Sequence, residues 1–257
     1  MSSFFPWMGG KSRLAKTIVP LLADHICYTE PFCGAANILF AKPKSKAEVI
    51  NDINSDLINL FRVVRYHYRE FVKELAAVTH SRKDFTDCKT SRGLTDIQRA
   101  ARYYVLLKVS FGGKGGTGDC SFGYSTTGKG RFNRGIFSVI NRCRRRLDGV
   151  IIENLEFTDF IARYDRKHTF FYCDPPYFET TGYQSPFGIA EHRLLVNVLS
   201  KIKGKFLLSI NDHPEIRKLY RGYKIREQTT RYSLSRKKTG AAAKAAELLI
   251  ANYPLKK

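Results

Sequence analysis

Acidic residues are scarce in this chain. Against 44 lysines and arginines stand 23 aspartates and glutamates, a formal charge of +21 over 257 residues. Such an imbalance points to a polyanionic partner, either nucleic acid or an anionic membrane surface. Long apolar runs are missing too. No stretch reaches the roughly 18 apolar residues of a membrane-spanning helix, so none is expected. The opening residues, Met1-Ser2-Ser3-Phe4-Phe5-Pro6-Trp7, have no charged segment followed by an apolar one, so a signal peptide is not expected and the location is expected to be cytoplasmic. The cysteines (Cys27, Cys33, Cys88, Cys120, Cys143, Cys173) form no C-x-x-C pair, and the histidines are equally dispersed. Reduced thiols and no zinc site are the expectation. Internal repeats and low-complexity tails are absent. So is the P-loop signature G-x-x-x-x-G-K-[ST], and G-x-G-x-x-G is missing from the turn after the first expected strand, which argues against a P-loop and against a dinucleotide site there. What remains is a 43% hydrophobic chain. It is long enough to bury a full core, as one large domain or one domain with an insertion.

The chain is organised around Asp174-Pro175-Pro176-Tyr177. The preceding residues, Thr169 to Cys173, read as a buried strand because they are apolar, aromatic or β-branched throughout. The prolines stop it and bring carbonyls without N–H donors. Asp174 precedes a proline, which biases it toward extended backbone. A carboxylate, a rigid carbonyl and an aromatic face at a strand end suit a flat substrate bearing an amino group. The carboxylate and the Pro175 carbonyl can accept its two N–H bonds, and Tyr177 can stack on the ring. A plain strand end in a proline turn has the same local signature, so the rest of the chain must decide.

Two other segments carry chemistry. Trp7-Met8-Gly9-Gly10-Lys11 leads aromatics into a glycine turn and a lysine. The turn allows close backbone approach to a ligand, and Lys11 can grip a carboxylate. A helix is expected after it, with Leu14, Ile18, Leu21, Leu22 and Ile26 on one face and a kink at Pro20. Then Cys27 to Asn37 reads as a strand, a tight turn at Gly34 and a short helix to about 41. A second strand over 47–50 ends in Asn51-Asp52-Ile53-Asn54. Doubly wound sheets set an acid about 20 residues past the first turn on a ribose hydroxyl, and Asp52 follows Pro31-Phe32 at that distance. With no pyrophosphate fingerprint, the pattern favours an adenosine ligand without a diphosphate. Asp52 as a cap for the next helix is the plain alternative.

A helix is expected over 55–75, a polar loop over 81–93, and a capping box at Thr95 and Gln98 opening a helix to about 109. Between Ser110 and Asn133 glycines dominate, mixed with Lys114, Lys129, Arg131, Phe122 and Tyr124; Arg134 follows, then a helix carrying Arg142, Arg144, Arg145 and Arg146. Cations interleaved with aromatics suit a nucleic-acid backbone with exposed bases, and a solvated flexible loop is the alternative. From 149 onward strands (150–153, 169–173, 205–210, 223–226, 247–253) alternate with helices (189–202, 214–220), and 231–244 reads as a basic, alanine-rich connection. Repeated βα units imply a mainly parallel sheet with helices on both faces. Residues 1–60 and 149–257 would build the sheet, with 61–148 as a helical, basic insertion.

These motifs, in this order, resemble the Dam-type adenine-specific DNA methyltransferases over nearly the whole chain. Trp7 to Lys11 is similar to that family's W-x-G-G-K, Pro31-Phe32-Cys33-Gly34 to its P-F-x-G, Asn51 to Asn54 to its D-I-N, and Asp174 to Tyr177 to its catalytic motif. The resemblance implies a Rossmann-like α/β sheet and S-adenosylmethionine held by Trp7, Gly9, Gly10, Lys11, Pro31, Phe32, Gly34, Asp52 and Asp174, with Asp159 near the cofactor adenine. It implies catalysis by Asp174, Pro175, Pro176 and Tyr177, no metal, and double-stranded DNA gripped by Lys114, Tyr124, Lys129, Arg131 and Arg134. A monomer in solution is expected, with dimerisation on DNA left open. Val109-Ser110-Phe111-Gly112-Gly113-Lys114 departs from the N-R-x-G-x-N-G-like run of Dam proteins proper and resembles phage relatives, which puts a GATC target in question. The expected reaction is methyl transfer to the exocyclic amine of adenine in DNA. Its rivals are transfer to the cytosine amine and a basic nucleic-acid-binding protein without catalysis.

Overall fold

The computed structural model describes residues 1–111, 115, 120–128, 130–179, 187–236 and 242–255, with the side chains of 230–245 outside the description. Its centre is a seven-stranded sheet of order β3-β2-β1-β4-β5-β7-β6. The strands are β1 (Cys27–Glu30), β2 (Ala47–Asn51), β3 (Ile151–Glu153), β4 (Thr169–Cys173), β5 (Lys205–Asn211), β6 (Lys224–Arg236) and β7 (Ala242–Ala251). β1 to β5 run parallel to one another, and β7 is antiparallel to both β5 and β6. β4 is buried at every position, as expected of a strand covered on both faces.

Side-chain alternation divides the core in two. Tyr28, Ile50, Phe170, Tyr172, Leu207 and Leu249 face one layer, with α1 (Ala15–Ile18), α2 (Asn37–Ala41), α3 (Ser55–Tyr66), α4 (Tyr68–Ala76), α5 (Arg82–Thr90), α6 (Asp96–Val109) and α7 (Gly135–Arg146). Val49, Phe171, Cys173, Phe206, Leu208 and Ile250 face the other, with α8 (Phe157–Tyr164), α9 (Ile189–Leu199) and α10 (Pro214–Leu219). The sheet is thus covered on both sides, a Rossmann-like α/β arrangement. After β1 the chain winds outward to β2 and β3, whereas β4 leads the other way to β5. The order reverses between β1 and β4, and ligands bind α/β sheets at the carboxyl ends of strands flanking such a switch.

The structure corrects several local expectations. The helix of 55–75 is two helices, α3 and α4, because His67 leaves helical backbone (φ −122°, ψ 38°) and both pieces then pack on α6. Residues 82–90 form α5, not a loop: the Ser81 hydroxyl caps it by accepting from Asp84 N, and Phe85 and Cys88 are buried. Its polar composition hid it. The kinked helix after Lys11 is one α turn and a 3-10 turn over Val19–Leu21, and Ile26 is half exposed just ahead of β1. Of the basic stretch 231–244, residues 231–236 and 242–244 belong to strands, and 237–241 lie outside the described residues. β6 and β7 pair from Lys224 opposite Ala251 as far as Arg236 opposite Ala242, beyond where β5 stops.

Candidate active site

A cleft of about 360 Å³ opens at the switch point. Three loops build it, and each is held by a polar side chain. The first is Trp7–Lys11. Gly10 N donates to the Trp7 carbonyl, Gly9 takes a positive φ of 74°, and Lys11 Nζ donates back to the Gly9 carbonyl at 3.0 Å. The second follows β1. Gly34 (φ 46°) and Ala36 (φ 50°) both lie in the left-handed region, which curls the chain toward α2. A Cβ at Gly34 would sit 2.7 Å from Trp7 Nε1, so glycine is demanded by contact as well as by φ. The third follows β2. Asp52 accepts from Gly34 N through Oδ2 and from Asn54 N through Oδ1, both at 3.0 Å. Asn54, not Asp52, caps α3, its side chain accepting from Leu57 N. Asn51 ties the loops together by donating to the carbonyls of Pro31 and Leu155 while accepting from Leu155 N.

Among the cleft's lining residues are Trp7, Gly9, Gly10, Lys11, Pro31, Phe32, Gly34, Asp52, Asp174, Pro175 and Pro176. The fold therefore gathers sequence-distant candidates into one space. Asp159 does not line the cleft; Leu155, Glu156 and Phe157 do. Asp159 lies in the first turn of α8, two residues past Phe157. Phe157 and Phe187 do not stand out in the sequence. With Phe32 they form an aromatic wall, ring centroids 5.3 to 5.8 Å apart. No local pattern distinguishes these phenylalanines from core residues.

At the end of β4, Asp174 meets Lys11: Nζ donates to Oδ1 at 2.5 Å. Ser209 on β5 donates to the same oxygen at 3.0 Å, and Tyr172 backs Ser209 at 2.8 Å. Asp174 keeps about 19% of its side-chain surface open to the cleft. Burial pushes its carboxyl up to about 6, Lys11 working against that rise and Glu247 adding to it. Glu30, at the end of β1, accepts from Tyr28 OH and Leu39 N at 2.8 Å each. Burial pushes it up to about 8. Asp52 is raised for the same reason, with backbone N–H donors opposing.

Tyr177 departs from the expected stacking role. Its side chain is turned inward, 8% exposed; its hydroxyl donates to Glu247, and its ring lies under the Lys11 ammonium at 4.7 Å. In this arrangement the ring belongs to the core layer on the α8, α9 and α10 side of the sheet. The sequence presents Glu247 only as the start of an apolar strand. A lone carboxylate heading Leu248-Leu249-Ile250 is the signal it offers.

Of the candidate DNA contacts, Lys114 and Lys129 lie outside the described residues. Tyr124, Arg131 and Arg134 are exposed. The glycine-rich segment is anchored where it is described. Phe111 N donates to the Ser121 carbonyl, Gly123 N to the Val109 carbonyl, and Phe122 packs between His80 and Phe85. On α7, Arg142 and Arg145 are exposed. Arg146 instead donates to Glu48 and the Leu39 carbonyl, which binds the helix to the sheet. Among the described residues no group of three or more His, Cys, Asp or Glu side chains is placed to hold a metal, and no helix is long and apolar enough to cross a membrane.

Residues 7–234 match the family model described as D12 class N6 adenine-specific DNA methyltransferase. The type II methyltransferase M1.LlaDCHI of Lactococcus lactis subsp. cremoris is 27% identical over 97% of this chain and 95% of its own length. The DNA adenine methylase of Salmonella typhi is 26% identical over 98% and 95%. The type II methyltransferase M.MjaIII of Methanocaldococcus jannaschii is 25% identical over 97% and 98%.

Proposed function

This chain belongs to the D12 class of N6 adenine-specific DNA methyltransferases, and from that premise we propose how its cleft divides the work of methylating adenine in DNA. The supporting observation is convergence: Gly9–Lys11, the Gly34 turn, Asp52 and Asp174-Pro175-Pro176 all face one cavity.

S-adenosylmethionine, when bound, would supply an electrophilic methyl on its sulfonium and leave as the neutral thioether S-adenosylhomocysteine once that carbon–sulfur bond breaks. The residues present fit such a group. The cavity is within the usual range for a small-molecule site. Asp52 reaches it beside the Gly34 turn and offers a carboxylate to a ribose diol. Phe32, Phe157 and Phe187 offer an apolar wall to a purine. Glycines 9 and 10 let the backbone approach closely. Asp174 and the Pro175 carbonyl accept the two hydrogens of the adenine amine. That nitrogen is a weak nucleophile because its lone pair is delocalised, and the two acceptors orient it toward the methyl. Asp174, ionised above about pH 6, is also the nearest base for the proton the nitrogen sheds once methylated. The gain is orientation and electrostatics, without a covalent intermediate on the protein.

An adenine inside a duplex cannot reach this cavity, so double-stranded DNA would present it flipped from the stack. Residues 61–148 would form the DNA-reading segment, with Tyr124, Lys129, Arg131, Arg134 and Lys114 along the backbone, one copy of the chain acting at a time in the cytoplasm. The test is labelled methyl incorporation into plasmid DNA, with N6-methyladenine identified in the digest and Asp174→Ala as the comparison. Wild type should label adenine. The variant should lose about 100- to 1,000-fold or more in rate while keeping its fold. A variant retaining above about a tenth of the activity would overturn the assignment of Asp174.

A further inference from the structure

Lys11 has a second carboxylate. Its Nζ lies 3.4 Å from Glu247 Oε1, in addition to its bond to Asp174. Glu247 is fully buried in β7, opposite Asn211 of β5 and Gln228 of β6. A buried carboxylate costs several kcal/mol unless paired, and an ordinary strand position in that register needs none. Two of the groups Glu247 meets belong to the cleft: the Lys11 ammonium and the Tyr177 hydroxyl. Next to it, Asn211 exchanges two hydrogen bonds with Phe178, N to Oδ1 and Nδ2 to O, each 3.1 Å. The segment that follows Asp174 is therefore clamped from the sheet at two successive residues.

We propose that Glu247 is a positioning residue for methyl transfer, sharing the Lys11 ammonium so that it does not close wholly onto Asp174, and holding Tyr177 so that the Asp174–Tyr177 segment keeps its course along the cleft. The inference rests on the reading that Asp174 is the catalytic group. Two carboxylates share one ammonium, so the position of Lys11 is set by both. Without Glu247, Lys11 is drawn wholly onto Asp174 and competes with the adenine amine for it.

The same arrangement gives a signature that packing alone would not. The groups facing Asp174 are Lys11 from the N-terminal loop, Glu247 from β7, Ser209 with Tyr172 behind it, and Glu30 from β1. Glu247 is the negative neighbour that makes Asp174 harder to ionise. Glu247→Gln keeps shape and an acceptor for the Tyr177 hydroxyl while removing the charge. It should lower kcat on the order of 10- to 100-fold, leave KM for S-adenosylmethionine nearly unchanged, and move the acid limb of kcat/KM for DNA to lower pH. Glu247→Asp should restore part of kcat and return the limb toward that of wild type. Thermal melting of each variant, and rates normalised to folded protein, separate this from a stability loss. A Gln variant with wild-type kcat per folded molecule, or with reduced kcat and an unmoved acid limb, overturns the proposal. If Asp174→Ala is itself active, the underlying reading fails instead, and the two failures are distinguishable.

Discussion

Lys11 and Asp174 are 163 residues apart in the chain and meet at 2.5 Å. The contact joins the loop that opens the cleft to the strand end that closes it. It also means that Asp174 is paired before any substrate arrives, and that its protonation state controls what the cleft can accept.

The pH dependence follows from this. Burial raises Asp174 to about 6 from the ordinary 3.8. Only the ionised form accepts both Lys11 and an amine hydrogen. Activity should thus be flat at neutral pH and fall as pH drops through about 6, with kcat/KM losing about tenfold per unit below it. A steady-state profile between about pH 4.5 and 8.5, bracketing that limb, on protein shown to remain folded, checks it. An acid limb centred near 4, the ordinary carboxylate range, would mean that Asp174 is not the group limiting the reaction.

Asp52 should matter to the cofactor more than to DNA. Its oxygens already accept backbone N–H groups, those of Gly34 and Asn54 among them, which shapes the Gly34 turn. A carboxylate has about four acceptor positions, and Asp52 lines the cleft. Asp52→Ala removes a charge-assisted hydrogen bond worth roughly 1.5–3 kcal/mol, so S-adenosylmethionine affinity should fall about 10- to 100-fold, with DNA affinity within a factor of about three. Calorimetry on the folded variant decides; an unchanged cofactor affinity would leave Asp52 only the task of holding the turn.

Much of this fold is legible in the sequence, and the failures have physical causes. β4 is readable because every one of its residues is apolar, aromatic or β-branched, and α6 because Thr95 and Gln98 form a complete capping box. α5 is not, since it buries little beyond Phe85 and Cys88 and its polar face mimics a loop. The break at His67 is not either, since no proline or glycine within 55–75 marks it and the apolar periodicity runs on through it. At the site, Trp7, Lys11, Asp52 and Asp174 stand out as residue types beside glycine and proline. Phe157, Phe187 and Glu30 do not, because an aromatic or acid next to a strand looks like core or cap until the sheet order brings it to the switch point. For Tyr177 the sequence does not show the inward orientation, because its hydroxyl partner, Glu247, lies 70 residues away.

Glu30 offers a stability test independent of catalysis. Its folded value of about 8 lies above the ordinary 4.5. Between those values the folded chain holds a proton that the unfolded chain has released. Its contribution to stability therefore falls as pH rises through that window, by at most about 1.4 kcal/mol per pH unit, and levels off above about 8. Glu30→Gln cannot ionise and keeps an acceptor for Tyr28 and Leu39. Relative to wild type, the variant should gain stability steadily from about pH 5 to about pH 8. Urea denaturation across that range measures the difference; a constant difference would show that Glu30 does not titrate there.

This enzyme should read little sequence around its target. Adenine is usually read bidentately by asparagine or glutamine. Between Phe111 and Arg134 the chain has one such residue, Asn133. Both ends of its amide are engaged in its own turn: Nδ2 donates to the Gly130 carbonyl and Oδ1 accepts from Gly135 N, each at 3.0 Å. That leaves cations, which fix position on phosphates without carrying sequence information, and exposed Tyr124, whose π-face stacks on any base. A chain of charge +21 with few base readers should bind duplexes tightly, indiscriminately and with a steep salt dependence. Replacing Lys114, Lys129 and Arg131 with alanine should weaken binding to all duplexes about equally. It should also flatten the slope of log K against log salt by about 0.9 for each phosphate that is no longer neutralised. Single-molecule sequencing of a methylated plasmid should then find methylated adenines in a very short or undefined context. Modification confined to one motif of about four or more defined bases, with the triple variant losing discrimination, would instead show that Arg131 reads guanine in the major groove.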